Sequence, residues 1–96
     1  MRIRFTPSAE VQLNSAIEYI RRDRPSAAAA YAKRARQSLM RLTSFPKSGR
    51  KVPEYPSSSV REVVVSPYRF FYQQRENDIW ILAVWHEAQL PTDPRS

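Results

Sequence analysis

The chain has 96 residues and a formal net charge of +7 at pH 7, with one histidine, one glycine and no cysteine. This composition excludes a disulfide framework, a thiolate metal site and a glycine-rich phosphate loop, so we expect neither a metal nor another cofactor. A chain of this length forms one modest core, which predicts a single domain over residues 1–96, with a tail from about residue 89 that frays.

The first half of the sequence predicts a strand followed by two helices. Residues 2–6 alternate between polar and apolar side chains, as in a strand with one buried face. Thr6 and Pro7 then suit the N-cap and the first position of a helix with one apolar stripe. Pro25 suits the first turn of a second helix, which ends at Phe45–Pro46. Small residues early in its apolar seam allow the two helices to pack closely as a hairpin.

The second half predicts an ordered loop and three strands. Residues 47–59 are rich in proline, serine and lysine, which indicates a loop in which Gly49 provides a turn with positive φ. Residues 60–66, 68–74 and 79–86 are rich in β-branched and aromatic side chains, which is typical of strands. Strict alternation divides the last strand into two apolar faces, with Ile79, Ile81 and Trp85 on one and Trp80, Leu82 and Val84 on the other.

Together these elements predict an α+β fold with the order β-α-α-β-β-β. The helical hairpin packs on one face of an antiparallel sheet, and the other face is partly open. The longest apolar run, residues 79–85, is too short to cross a bilayer, and the residues after Met1 do not form the apolar run of a signal peptide. We therefore expect a cytoplasmic protein with no membrane partner.

The net charge is concentrated in one stretch. Residues 33–51 include seven basic and no acidic residues, whereas the rest of the chain has nine of each. A solvated helix face would explain such a run, but concentrated charge also attracts anionic partners, either nucleic acid or an acidic protein segment. The candidate residues for binding a target or a partner are Lys33, Arg34, Arg41, Lys47, Arg50 and Lys51, together with Arg61 and Arg69 on the predicted strands.

Five short motifs follow one another along the chain. They are Thr6-Pro7-Ser8-Ala9, Ile17-Glu18-Tyr19-Ile20, the run from Phe45 to Glu54, Val60-Arg61-Glu62-Val63 with the run from Pro67 to Tyr72, and the run from Ile79 to His86. In this order and spacing, over residues 2–90, they resemble the RelE/ParE superfamily of bacterial type II toxins. The resemblance implies a small basic toxin that inhibits growth and is neutralised, in a heterocomplex, by an acidic and partly disordered antitoxin.

The superfamily divides by target. RelE-like members cleave messenger RNA on the ribosome, whereas ParE-like members inhibit DNA gyrase. Metal-free RNA cleavage needs a base, an acid and a cation that holds the phosphate. The chain could supply these groups from His86 as acid or base, Glu54 as base, and Arg61, Arg69, Lys47 or Lys51 as phosphate clamps.

The residues after the last strand favour the ParE-like branch. Some nucleases of the superfamily have an aromatic acid-base residue after the histidine, but here Glu87 follows His86, and a carboxylate at that place would repel phosphate. The C-terminal tyrosine and arginine of other nucleases have no clear counterpart. We therefore expect gyrase inhibition by binding, without an assigned catalytic residue. The alternatives are a ribosome-dependent messenger RNA endoribonuclease and a non-toxic basic nucleic-acid-binding module.

Several of these residues also have structural interpretations. His86 could hold the end of a strand through a hydrogen bond, Arg61 could pair with a cross-strand carboxylate such as Glu62, and Arg69 could stack on an aromatic neighbour. The large aromatic side chains of the strands, Tyr72, Trp80 and Trp85, are more typical of a core than of base-stacking platforms.

Overall fold

The computed structural model describes residues 1–89. Along the chain, two helices follow the first strand of a five-stranded sheet and precede the second. The elements are β1 (Ile3–Phe5), α1 (Pro7–Asp23), α2 (Pro25–Arg41), β2 (Arg50–Lys51), β3 (Arg61–Val65), β4 (Tyr68–Arg75) and β5 (Asp78–His86). The predicted α+β class and the order of two helices before the three main strands are confirmed. The predicted frayed tail lies, apart from Gln89, outside the described residues.

The sheet has the strand order β1-β5-β4-β3-β2 and is mixed rather than wholly antiparallel. β1 pairs in parallel with β5, with Ile3 opposite Ile79, while the other neighbours are antiparallel. The helical hairpin follows β1 in the chain, and the last strand, β5, lies beside β1 in the sheet. β2 lies inside the predicted loop, because two exposed residues pair with β3 through their backbone and leave no apolar pattern in the sequence.

Local capping fixes the start of α1 as predicted. The Thr6 hydroxyl accepts a hydrogen bond from the Ala9 backbone N–H at 3.1 Å, and Pro7 occupies the first turn, where it loses no hydrogen bond. The Thr6 hydroxyl also donates to the Leu82 carbonyl oxygen at 3.2 Å, which connects the cap to the sheet. A single residue, Arg24, then separates α1 from α2, so the two helices form a tight hairpin.

The main core lies between the hairpin and one face of the sheet. The two helices pack closely, as the small residues in the apolar seam of α2 predicted. Their small buried residues are Ala9, Ala16, Ala28 and Ala35. The side chains that fill the core from the strands are Val65, Tyr68, Phe70, Tyr72, Ile79, Ile81 and Val84. Tyr31 of α2 is also buried, and its hydroxyl donates to the Val65 carbonyl oxygen at 2.7 Å. Burial raises the pKa of Tyr31, so the phenol stays protonated and keeps donating.

A β-bulge in β5 changes the predicted alternation of its side chains. Phe71 pairs with Ala83 and Tyr72 pairs with Ile81, so Leu82 is an extra residue on β5. Leu82 and Ala83 therefore both pack on the face away from the helices. Beyond the bulge the expected faces were wrong: Val84 packs with the helices, and Trp85 lies on the opposite face.

The face away from the helices carries a second, smaller core. The loop between β2 and β3 contributes Val52 and Val60, which are fully buried, and the half-buried Tyr55. These side chains pack with Phe71, Leu82, Ala83, Trp80 and Trp85. The face that was expected to be partly open is thus partly covered by this loop.

Gly49 is required for space and not for its backbone freedom. Its φ is not positive, in contrast to the predicted turn. A Cβ atom at this position would lie 2.5 Å from Cε1 and the hydroxyl of Tyr72, and 2.7 Å from the Glu62 carbonyl oxygen. The ring of Tyr72 is fully buried and cannot move aside without displacing the core. The loop therefore passes this close to the sheet only because the residue has no side chain.

We expect Gly49→Ala to lower the free energy of unfolding by about 1–3 kcal/mol, because the added methyl group overpacks a buried contact. Urea denaturation followed by circular dichroism measures the change. Ser48→Ala is the matched control, since Ser48 is exposed and should stay within about ±0.5 kcal/mol of wild type. Equal stability of the two variants would show that the loop relaxes freely around residue 49.

Candidate functional site

Four charged side chains form a network on the sheet face away from the helices. The Arg69 Nε atom lies 2.6 Å from Oε2 of Glu62, and its Nη2 atom lies 2.9 Å from Oε1 of Glu54. The other oxygen of Glu62 accepts from Arg50 Nε at 2.7 Å. Glu62 and Arg69 are only 1 % and 7 % exposed. β2, the following loop, β3 and β4 are therefore joined by one set of charge-assisted hydrogen bonds.

Strand register brings these side chains together. Glu62 stands opposite Arg50 on one side and Phe71 on the other. Arg69 lies two residues before Phe71 and so shares its face, with its guanidinium carbon 4.9 Å from the Phe71 ring centroid. The aromatic stacking considered for Arg69 is thus present, on Phe71. Glu54 reaches the site from the loop that covers the second core.

The network neutralises itself. It contains two carboxylates and two guanidinium groups, so it adds no net charge to the surface. The hydrogen bonds from Arg69 hold the pKa of Glu54 below its usual range, and the pKa of Arg69 is raised in turn, chiefly through Glu54. Both groups are therefore ionised at neutral pH. The geometry gives Arg69 a structural role, and its predicted role in target binding remains a prediction.

Arg61 faces the opposite side of the sheet from Glu62 and does not pair with it. Its Nη1 atom donates to the Gly49 carbonyl oxygen at 2.8 Å. The buried hydroxyl of Tyr72 accepts from the Gly49 N–H at 2.9 Å and donates to the Pro46 carbonyl oxygen at 2.7 Å. Burial raises the pKa of Tyr72, with the Gly49 hydrogen bond and the Arg61 charge opposing the rise. Residues 46–49 are therefore fixed to the sheet by hydrogen bonds at three backbone atoms.

The predicted basic residues of α2 and the following loop are all exposed. Lys33, Arg34 and Arg41 project from α2, and Lys47, Arg50 and Lys51 from the loop and β2. Arg34 donates to the Ser66 carbonyl oxygen at 3.1 Å and lies over the Tyr31 ring. Of this set only Arg50 belongs to an ion pair within residues 1–89. The excess charge seen in the sequence thus becomes a surface whose cations mostly lack carboxylate partners.

His86 lies at the far end of β5, on the helix side of the sheet. Its Nδ1 atom accepts from the Ala88 backbone N–H at 3.0 Å, and its ring packs edge-to-face on Tyr68 at 5.4 Å. This is the strand-end hydrogen bond considered as a structural role. Tyr68, which pairs with His86, is four residues along β4 from Tyr72, which pairs with Arg61.

Four of the six residues considered for RNA cleavage, His86, Glu54, Arg61 and Arg69, are therefore not assembled into one site. His86 and Arg61 lie at opposite ends of the strands, and Arg69 with Glu54 lies on the other face of the sheet. Among the large aromatic residues, Tyr72 belongs to the main core, and Trp80 and Trp85 pack half-buried on the second core. Within residues 1–89 no three acidic or histidine side chains are placed to hold a metal ion. No helix in the described part of the chain is long and apolar enough to span a membrane.

Sequence reasoning missed Glu62 as the centre of the network. The available signal was a carboxylate inside a run of valines. In a strand Glu62 shares a face with apolar neighbours two residues away, and that face can be buried. A carboxylate is seldom fully buried without a cationic partner. That rule would have linked Glu62 to an arginine on a neighbouring strand.

We expect Glu62→Gln to lower the free energy of unfolding by about 3 kcal/mol, because it removes one partner of a buried ion pair. Glu54→Gln should have a smaller effect, since the Glu54 side chain is 39 % exposed. Glu10→Gln, on the exposed first turn of α1, should stay within about ±0.5 kcal/mol of wild type. Chemical denaturation at pH 7 tests this order. A Glu62→Gln variant as stable as Glu10→Gln would contradict it.

Known proteins relate this geometry to one family. The fold is similar to a chain of the solved structure described as a chromosomal ParDE TA system from P. aeruginosa, with a TM-score of 0.74, 16 % sequence identity, and coverage of 90 % of this chain and 95 % of that chain. No curated protein matches the sequence significantly. Residues 3–91 match the family described as the ParE toxin of the type II toxin-antitoxin system, parDE. The chain therefore belongs to the ParE toxin family.

Proposed function

We propose that the protein is a toxin that inhibits bacterial growth by binding DNA gyrase, and that a cognate acidic antitoxin neutralises it. The family match over residues 3–91 carries the assignment to a type II toxin. The choice of gyrase follows the ParE-like branch, and the arrangement of the charged residues supports it. We also propose that the protein acts in the cytoplasm, where gyrase is found.

A binding function agrees with the geometry better than RNA cleavage does. General acid-base catalysis needs its groups within hydrogen-bond reach of the same reacting atoms. His86 uses Nδ1 for a backbone hydrogen bond, and Arg69 and Glu54 are paired with each other on the other face of the sheet. The exposed cations of residues 33–51, by contrast, form a surface that attracts an anionic partner without further rearrangement.

We expect His86→Ala to keep inhibiting gyrase. Its effect on DNA supercoiling by purified gyrase should stay within about threefold of wild type, whereas loss of a general acid or base would reduce activity about 100-fold or more. Glu54→Ala should behave in the same way once corrected for its folded fraction, which thermal melting gives. The wild-type protein should not cleave messenger RNA in a purified translation reaction.

The outcome that favours the nuclease is equally specific. Site-specific messenger cleavage by the wild type, lost in a folded His86→Ala variant, would replace gyrase inhibition by ribosome-dependent RNA cleavage. In cells, gyrase inhibition should induce the DNA damage response and filamentation, whereas messenger cleavage would arrest translation rapidly. Strains that express the wild-type protein and the His86→Ala variant therefore distinguish the two functions by these two cellular responses.

The hairpin side of the molecule offers a place for the antitoxin. An apolar groove of about 280 Å³ runs between α1, α2 and β1 and is lined by Ile3, Phe5, Leu13, Ile17, Ala32, Ala35, Leu39 and Met40, with Arg36 as its one charged residue. An amphipathic helix buries its apolar face in a groove of this kind. Arg34, which donates to the Ser66 carbonyl oxygen, and Arg41, two turns further along α2, are both exposed and would attract carboxylates of the same acidic chain.

We expect Arg34→Glu with Arg41→Glu to weaken antitoxin binding at least tenfold at low salt and to reduce its salt dependence, because two attractive charges become repulsive. Arg24→Glu with Arg75→Glu changes the net charge equally at distant exposed positions and serves as the control. Calorimetric titration at two salt concentrations measures both. Binding should also raise the melting temperature of the wild-type toxin, since the antitoxin binds only the folded state. Equal affinities for the two double variants would exclude an electrostatic contribution from α2.

A further inference from the structure

We propose that a corner of the sheet binds the phosphate backbone of a DNA strand. The corner consists of Lys47, Lys51 and Arg61 with the exposed ring of Phe45, and we call it the basic corner. The inference deepens the proposed function and rests on it, because DNA is the substrate of gyrase. It gives the toxin a direct contact with DNA in addition to its contact with the enzyme.

The register of β2 and β3 places two cations against each other. Lys51 stands directly opposite Arg61 in the antiparallel pair. Side chains at such positions have Cβ atoms about 4.5–5.5 Å apart, and like charges there destabilise the pair. No ion pair formed within residues 1–89 includes Lys51, Arg61 or Lys47. An anion between Lys51 and Arg61 would turn this repulsion into attraction, which makes the pair a phosphate site.

Several other arginines, in contrast to Arg61, have carboxylate partners. Arg50, beside Lys51, points to the other face of the sheet and is neutralised by Glu62 at 2.7 Å. Arg4, Arg21 and Arg22, elsewhere in the molecule, also have carboxylate partners. Within residues 1–89 the cations of α2 also lack carboxylate partners, but in the basic corner Lys51 and Arg61 stand opposite each other in register, and both remain available for an external anion.

Hydrogen bonds anchor one cation of the basic corner and the backbone beside a second. The Arg61 guanidinium is fixed by its hydrogen bond to the Gly49 carbonyl oxygen at 2.8 Å, and Pro46 and Gly49 are both bonded to the buried Tyr72 hydroxyl. Lys47 lies between these two anchored residues. A cation whose position is fixed before binding loses less conformational entropy when it meets a phosphate. The same hydrogen bonds that attach the loop to the core thus preorganise the site.

Phe45 favours nucleic acid over an acidic protein as the ligand. Its side chain is 62 % exposed although it directly precedes the anchored Pro46. With Pro46, Lys47 and Gln74 it lines a shallow apolar hollow beside the cations. Aromatic rings next to basic side chains are the usual platform on which an unpaired base stacks while its phosphates are held. The basic corner therefore fits a single-stranded or locally opened segment of DNA.

Binding of fluorescein-labelled 20-nucleotide DNA, followed by anisotropy without gyrase, tests the site. We expect Lys51→Gln with Arg61→Gln to reduce the slope of log Kd against log salt by about 1 for each phosphate that the variant no longer neutralises. Arg2→Gln with Arg24→Gln removes the same charge from exposed positions outside the basic corner and should leave the slope unchanged. Arg61→Gln also removes the hydrogen bond to Gly49, so Lys47→Gln with Lys51→Gln, both on exposed side chains, provides a second test.

The aromatic contact has its own test. We expect Phe45→Ala to weaken binding of single-stranded DNA about fivefold or more and to change duplex binding little, because only an unpaired base can stack on the ring. Val11→Ala, which shortens another exposed apolar side chain, is the control and should change neither. RNA of the same sequence should bind no more tightly than the DNA.

The outcomes separate this inference from the proposed function. Gyrase inhibition without DNA binding would overturn the basic corner and leave gyrase inhibition standing. So would DNA binding whose salt slope equals that of wild type both in the Lys51→Gln, Arg61→Gln variant and in the Lys47→Gln, Lys51→Gln variant. Tighter binding of RNA, or loss of antitoxin or gyrase binding with unchanged DNA binding, would also overturn it, in favour of RNA or of an acidic protein surface. DNA binding that depends on the basic corner, in a protein that leaves gyrase active, would support the site and contradict the proposed target.

Discussion

The buried carboxylate of Glu62 is the constraint on which the rest of this structure depends. A single carboxylate with almost no exposed surface is tolerated only when its charge and its hydrogen-bonding capacity are both satisfied. Arg69 satisfies one oxygen from β4 and Arg50 the other from β2. Because these arginines belong to different strands, the carboxylate fixes β2 to the sheet and, through Arg69 and Glu54, fixes the loop that covers the second core. The paired backbone of two exposed residues would hold β2 only weakly without it.

The same network decides which cations are available for function. The stretch of residues 33–51 has no acidic residue, and the carboxylates that reach the neighbouring sheet, Glu54 and Glu62, are used by Arg50 and Arg69. The other cations of the stretch therefore remain exposed without an ion pair in the described chain. A +7 chain with randomly placed carboxylates would have a weaker and more diffuse field. Here the ion pairs of Arg50 and Arg69 lie on the sheet face away from the helices, whereas the unpaired cations of residues 33–51 lie on α2, in the following loop and at the edge of the sheet.

The sequence predicted what depends on neighbours along the chain and failed where distant residues decide. Thr6 and Pro7 fix the start of α1 within one turn, and the apolar residues of α2 repeat with a helical period, so both helices were predicted from local pattern. The predicted end of α2 at Phe45–Pro46 was wrong, since the helix ends at Arg41. The parallel pairing of β1 with β5, the two-residue strand β2 and the bulge at Leu82 depend on partners beyond the local sequence, from about ten residues away for β2 and the bulge to 76 for Ile3 and Ile79. Gly49 shows the same limit, since its role comes from the Tyr72 ring more than twenty residues later.

The candidate site illustrates this limit most clearly in Arg61 and Arg69. In the sequence both are single arginines beside apolar strand residues, and nothing local separates them. In the sheet, the register of β3 and β4 puts Arg69 on the face of Glu62 and Arg61 on the opposite one, where it meets Lys51 instead. Because side chains alternate with a period of two, a shift of one residue would exchange these environments. Strand register thus assigns Arg69 to the architecture and Arg61 to the surface. In this sheet the strand register therefore determines which arginine is neutralised by the buried carboxylate and which stays available to an external anion.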